Sequence, residues 1–243
     1  MSYALDHPIA ERAPESARAA FIRRTYGHLA GAILAFVAIE FVIFGAFLNS
    51  KDAAVNFLVS VFGHTPYAWL IVLAVFIGAG KLAEFWARSD TSVAMQYLGL
   101  GLYVALEAAI FVPLLCIAVY FTKDPTVLPT AGILTLSIFA GLTFSVFVTR
   151  KDFSFLGPIL SICSTIALGV IICAILFGFT LGLVFAFAMV ALVSAWILYQ
   201  TSLVLHHYRT DQHVAAALGL FAAIATLFWY ILQILLEVSS RSK

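Results

Sequence analysis

Two glutamates, Glu40 and Glu107, stand where an apolar chain least tolerates them. Glu40 lies in the long apolar run that follows Tyr26, and Glu107 in another that starts near Ala94. An ionisable side chain inside a lipid-crossing segment is costly, so it is a functional candidate by default. At a rise of about 1.5 Å per residue, Glu40 lies about 21 Å beyond Tyr26 and Glu107 about 20 Å beyond Ala94. The spacing therefore places both carboxyls at similar depth. Two carboxylates close together in low dielectric cannot both ionise easily, and one of such a pair holds a proton near neutral pH. The chemistry open to them is proton sensing or cation binding along a pathway. The plainer reading is two separate core acids. Pro113, under two turns after Glu107, frees a backbone carbonyl near Ala109. Such a break either lines a cavity or only kinks the helix.

Other groups carry weaker signals. Lys81 and Glu84 are three residues apart, and Glu84 and Arg88 four apart, the spacing of ion pairs on a helix surface. They form either an interfacial anchor with snorkelling side chains or, through Lys81 and Glu84, a candidate inner gate. His206, His207, Asp211 and His213 have the chemistry of metal ligands. A wet interfacial loop accounts for them as well, and no metal or other cofactor is expected. Cys116, Cys163 and Cys173 all fall in apolar runs and read as small reduced residues, too scattered for a disulfide framework. Neither a nucleophile site of the Gly-x-Ser-Gly type nor an intramembrane aspartate pair occurs. The stretch from Val214 to Leu236 has no lysine to carry a retinal Schiff base. No enzymatic activity is expected.

The elements that must position these groups are helices in lipid. The 243 residues are 63% hydrophobic and 10% charged, with a mean hydropathy of +1.07. A soluble domain is roughly 45–50% apolar and about 25% charged. A hydrocarbon core of about 30 Å takes roughly 20 apolar residues per helix, and interruptions divide the chain into seven such runs, at about 26–48, 66–86, 94–121, 127–148, 154–177, 179–205 and 214–236. These runs exceed a barrel strand, and a helix satisfies its own backbone groups in lipid. The expected organisation is a polar segment at 1–25, a membrane domain at 26–236 and a short tail at 237–243. The Arg23-Arg24 pair belongs to a first span that stays in place rather than to an export signal, because the run behind it exceeds a signal peptide's apolar region. A net charge of +1 gives no field to recruit nucleic acid, and the lipid bilayer is the first partner expected.

Basic residues set the direction. With the amino terminus inside, Arg12, Arg18, Arg23, Arg24, Lys81, Arg88, Arg150, Lys151 and Arg209 fall on one side, and Lys51, Lys123, Arg241 and Lys243 on the other. That distribution predicts a cytoplasmic N-terminus and a C-terminus outside. Gly27 with Gly31, and Gly178 with Gly182, have the small-residue spacing that allows close helix contact. The turn at Phe177-Gly178-Phe179 predicts a tight hairpin. No internal repeat supports an inverted-repeat transporter.

Several segments together resemble the Bax inhibitor-1 family of small membrane proteins. Phe21-Ile22-Arg23-Arg24-Thr25-Tyr26 resembles the family's basic-Thr-Tyr lead into its first helix. The run from Leu142 through Thr149-Arg150-Lys151-Asp152-Phe153-Ser154-Phe155-Leu156-Gly157 resembles its fourth-to-fifth helix junction. Ile197-Leu198-Tyr199-Gln200-Thr201 resembles its sixth-helix motif, and Ala216-Ala217-Leu218-Gly219-Leu220-Phe221 with Leu227-Phe228 its seventh helix. The resemblance implies an all-α bundle of seven spans with the last helix central. It also implies association with a pH-sensitive calcium leak, with suppression of cell death in eukaryotes and with a membrane protease in bacteria. Short loops and tails resemble the bacterial members, and a bacterial inner membrane is the expected location.

The family pattern places one aspartate just after the sixth-helix tyrosine and another in the seventh helix. Here those positions hold Gln200 and, at about the second, Ala223. Glutamine hydrogen-bonds but does not change charge, so pH gating through the usual pair is not expected. The reading that follows is a slow cation leak, of calcium or protons, with Glu40, Glu107 and Gln200 as candidate pathway groups. The alternative is a non-conducting regulator or partner of a membrane protease or another membrane complex.

Overall fold

The computed structural model describes residues 8–63, 67–89 and 92–241. Parts of three expected regions lie outside them: residues 1–7 of the polar segment, residue 66 at the start of the second span, and 242–243 of the tail, with Lys243. The described chain forms α1 (Glu15–Ala46), α2 (Lys51–Phe62), α3 (Ala68–Ala87), α4 (Val93–Cys116), α5 (Val127–Thr149), α6 (Leu156–Phe177), α7 (Gly182–His206) and α8 (His213–Arg241). A π-helical turn, Ile117–Phe121, continues α4. Seven of these helices, all but α2, are long and apolar enough to cross a membrane. The chain is an all-α polytopic integral membrane protein.

Helix ends depart from the apolar runs where polar residues are themselves helical. α1 begins at Glu15 behind Pro14, well before residue 26, because Arg18, Arg23 and Arg24 interrupt hydropathy without interrupting backbone hydrogen bonding. α8 likewise runs on through Glu237 to Arg241. The short α2 falls in what reads as a connection. Ser50 caps it by accepting from the Ala53 N–H at 3.2 Å, with Asp52 in its first turn, and its 12 residues span only about 18 Å. It bridges α1 and α3 without crossing.

α8 is central, as the resemblance implies: 72% of its most apolar stretch is buried, against 17% for α1. It packs on α1, α3, α4, α5 and α7. Small side chains at Ala215, Ala216, Ala217, Gly219, Ala223 and Ala225 let these neighbours approach closely. Aromatic rings then close the core around Phe111, which stacks on Phe228 at 5.6 Å and meets Trp229 and Phe36 edge-on at 5.1 and 5.2 Å.

The two glycine pairs do not serve the close helix contact that their spacing suggests. A Cβ on Gly27, Gly31, Gly178 or Gly182 would meet nothing within 4 Å. Gly178 and Gly182 instead take φ of +72° and +65°, the left-handed conformation that ends α6 and turns the chain into α7. The tight approach is at Gly99 of α4, where a Cβ would lie 2.5 Å from the Ala83 carbonyl oxygen of α3.

Candidate ion pathway

At one end of the bundle the chain start meets the α7–α8 connection: Ile9 bridges Arg209 in antiparallel fashion, and the Ala10 N–H donates to the Tyr208 carbonyl at 2.8 Å. The turn between α5 and α6 is fastened at the same end. Asp152 accepts from Ser154 N–H at 2.8 Å and from the Ser202 hydroxyl at 3.1 Å, and its other oxygen lies 3.0 Å from His207 Nε2. The Phe153 N–H in turn donates to Ser202 Oγ at 2.8 Å. Partial burial raises the Asp152 carboxyl, but the hydrogen bonds from Ser154, His207 and Ser202 outweigh it and hold the group well below the ordinary carboxylate range. The segments that carry the family resemblance converge here. Tyr26 faces Thr143 and Thr201, and Gly157 makes room for the Tyr199 ring, which a Cβ would meet at 3.0 Å.

Three cavities run from this end toward the other and share lining residues. The first, about 380 Å³, is bounded by Glu84, Arg88, Trp196, Gln200, His207, Tyr208 and Gln212 among others. Glu84, Trp196 and Gln200 also bound the second, about 270 Å³, with Gly219, Ala223 and Thr226. Thr226 lines the third as well, about 750 Å³, which holds Tyr103 and Glu107 and extends to Gln233, Glu237 and Ser240 near the end of α8. Glu107 is 4% exposed, and Tyr103 lies within electrostatic reach of both Glu107 and Glu84. The middle cavity is the smallest of the three. There Gln200 packs on Gly219, and its buried Oε1 accepts no hydrogen bond among the described residues.

The expected site residues therefore divide. Glu107, Gln200 and Glu84 line one series of cavities. Glu40 lines none of the three; it is 7% exposed, with both carboxyl oxygens unpartnered among the described residues. It sits within electrostatic reach of Cys116, beside the π-helical turn. Lys81 and Glu84 are both exposed, and among the described residues no ion pair joins Glu84 to Lys81 or to Arg88. The polar residues of the α7–α8 connection have dispersed partners: His206 lies 3.9 Å from Glu11, His207 joins Asp152, and Arg209 pairs with Asp211 at 2.9 Å.

Tyr103 and Thr226 line these cavities and are passed over by the sequence reading. Tyr103 precedes Glu107 by one helical turn, a spacing that would have flagged it. Thr226 gives no such signal, because its hydroxyl donates to the Ala222 carbonyl at 2.8 Å, as many helical threonines do.

Comparison with known proteins identifies relatives of the chain. The chain is 29% identical over 235 residues to Protein LIFEGUARD 3 of Arabidopsis thaliana, covering 94% of this chain and 88% of that one. It is 29% identical over 235 residues to Bax inhibitor 1 of Schizosaccharomyces pombe, covering 94% of this chain and 80% of the relative. Uncharacterized protein PA2604 of Pseudomonas aeruginosa is 32% identical over 123 residues, 50% of this chain and 55% of that one. No solved structure matches the chain. Residues 18–241 match the family described as "Inhibitor of apoptosis-promoting Bax1", and the chain belongs to that Bax inhibitor-1 family.

Proposed function

We propose that this protein is a slow leak pathway for calcium ions or protons, running between α3, α4, α6, α7 and α8. The observation that carries the reading is the series of three cavities with shared walls, from Arg88 and His207 at one end to Glu237 at the other. A cation leaving water needs oxygen ligands along its route. Glu84, Gln200, Thr226, Glu107 and Glu237 supply them in order. Glu107 is the central group of this reading, and the middle cavity at Gln200 sets the rate. Because Gln200 and Ala223 stand where the family pattern has its aspartates, gating through that pair is absent, and Glu84 is the titrating group that lines the middle cavity.

The excess of arginine and lysine at the end bearing Arg23, Arg24, Arg88 and Arg150 supports a cytoplasmic N-terminus. Short connections, together with a relative in Pseudomonas aeruginosa, support a bacterial inner membrane. Calcium uptake into liposomes carrying the purified protein tests the reading: flux above protein-free liposomes that falls on Glu107→Gln supports it. A folded protein without flux would instead be the non-conducting partner of another membrane complex, a membrane protease among them.

A further inference from the structure

A groove of about 530 Å³ runs between α1 and α4, apart from the walls of the three cavities. Its long α1 wall is Gly27, Gly31 and Ala35, with Gly101 opposite on α4. A Cβ on Gly27, Gly31 or Gly101 would meet nothing within 4 Å, so these glycines hold space open and do not pack a neighbouring helix of this chain. One end of the groove is basic. Arg23 and Arg24 line it there; both are exposed, and neither forms an ion pair with a carboxylate among the described residues. The two walls are pinned beside these arginines by the hydrogen bond between His28 Nε2 and the Tyr97 hydroxyl at 2.9 Å, with His28 Nδ1 held by the Arg24 carbonyl at 2.6 Å.

An apolar channel with two unpaired guanidiniums at its end matches a molecule with one anionic head and a hydrocarbon tail. From Arg23 to Ile39 the α1 wall spans roughly 24 Å at a helical rise of about 1.5 Å per residue. One leaflet offers about 15 Å of hydrocarbon, half of a core of roughly 30 Å, and the headgroup adds to it. A second copy of the chain fits the groove less well. Two parallel α1 helices meeting at Gly27 and Gly31 would bring both copies' Arg23 and Arg24 side by side, like charges with nothing to neutralise them. Arginine binds phosphate in a bidentate fork. We propose that this groove is a binding site for one anionic glycerophospholipid, its phosphate on Arg23 and Arg24 and one acyl chain along the glycine wall.

Native mass spectrometry of the full-length protein, with phosphatidylglycerol or phosphatidylcholine of the same acyl chains added, tests the site without reference to ion flux. One phosphatidylglycerol should be retained in preference to phosphatidylcholine. The double substitution Arg23→Gln/Arg24→Gln should weaken that retention about thirtyfold, each basic group contributing roughly a factor of five. Gly31→Leu should displace the lipid with both arginines in place, and Gly101→Leu fills the groove from the other wall if the first variant does not fold. Equal retention of the two lipids, undiminished retention in the arginine variant, or a dimer that Gly31→Leu disperses would each overturn the proposal.

Discussion

Gly219 on α8 leaves the space that the Gln200 side chain on α7 enters: a Cβ on Gly219 would stand 3.0 Å from Gln200 Oε1. Both residues line the middle cavity, so on the proposed pathway its opening is bounded by a pair in which one partner has no side chain. Gly219→Leu should drive the glutamine across the cavity and lower flux severalfold. Crowding of this kind destabilises by about 1–3 kcal/mol, read as a lower melting temperature in detergent. Gly141→Leu, with open space around its Cβ, should change neither.

Gln200 and Ala223 line the same cavity from α7 and α8. Two carboxylates installed there, beside the Glu84 that already lines the cavity, would share a proton, because like charges in a confined space cannot both ionise easily. Gln200→Asp with Ala223→Asp should therefore make flux depend on pH more steeply than in the wild type between about pH 4 and 8, a range that covers raised carboxyl values. Flux in liposomes across that range checks this, and each single aspartate should give a weaker dependence than the pair.

Asp152 joins the α5–α6 turn to Ser202 and His207 on the α7 side. Its folded-state pKa is depressed, so the stabilisation is complete above the unfolded carboxyl's value of about 3.9. It is lost as the pH falls from there toward the lower native value. Asp152→Asn should lower the melting temperature at about pH 5, and the gap to the wild type should close as the pH drops below about 4. The carboxylate is about half exposed, which keeps the effect small. A gap that persists unchanged in acid would assign the difference to something other than the charge.

Glu40 is buried without a hydrogen-bond partner among the described residues, away from the three cavities. Replacing an orphaned polar group by an apolar one of similar size removes a desolvation penalty of about 1–3 kcal/mol. Glu40→Leu should raise thermal stability by an amount of that order and leave flux unchanged, whereas Glu107→Leu should abolish flux. Thermal unfolding and calcium uptake on the same preparations separate the two glutamates.

The long spans were legible because an apolar run of roughly 20 residues has one main use in a chain this poor in charge. α2 was not, since Ser50, Lys51 and Asp52 look like a loop until Ser50 is seen capping a helix. Glu107 was legible as a polar group in the wrong solvent, and Gln200 only through the family resemblance, as the residue at an aspartate position. Glu40 gave the same signal and sits elsewhere, because the face a helical residue presents depends on which helices surround it. Gly27 and Gly31 failed for a related reason. A small residue signals room, and only the neighbouring helices decide whether a helix fills it.

Thr226 is the residue shared by the middle and the large cavity, so it tests the continuity on which the leak pathway rests. Calcium uptake should be measured in liposomes carrying the wild type or Thr226→Phe, each shown to be folded by its size-exclusion profile and melting curve. A continuous pathway predicts flux above protein-free liposomes for the wild type and its loss when the ring plugs the junction. Wild-type flux that survives Thr226→Phe undiminished would contradict the route through Gln200, Thr226 and Glu107.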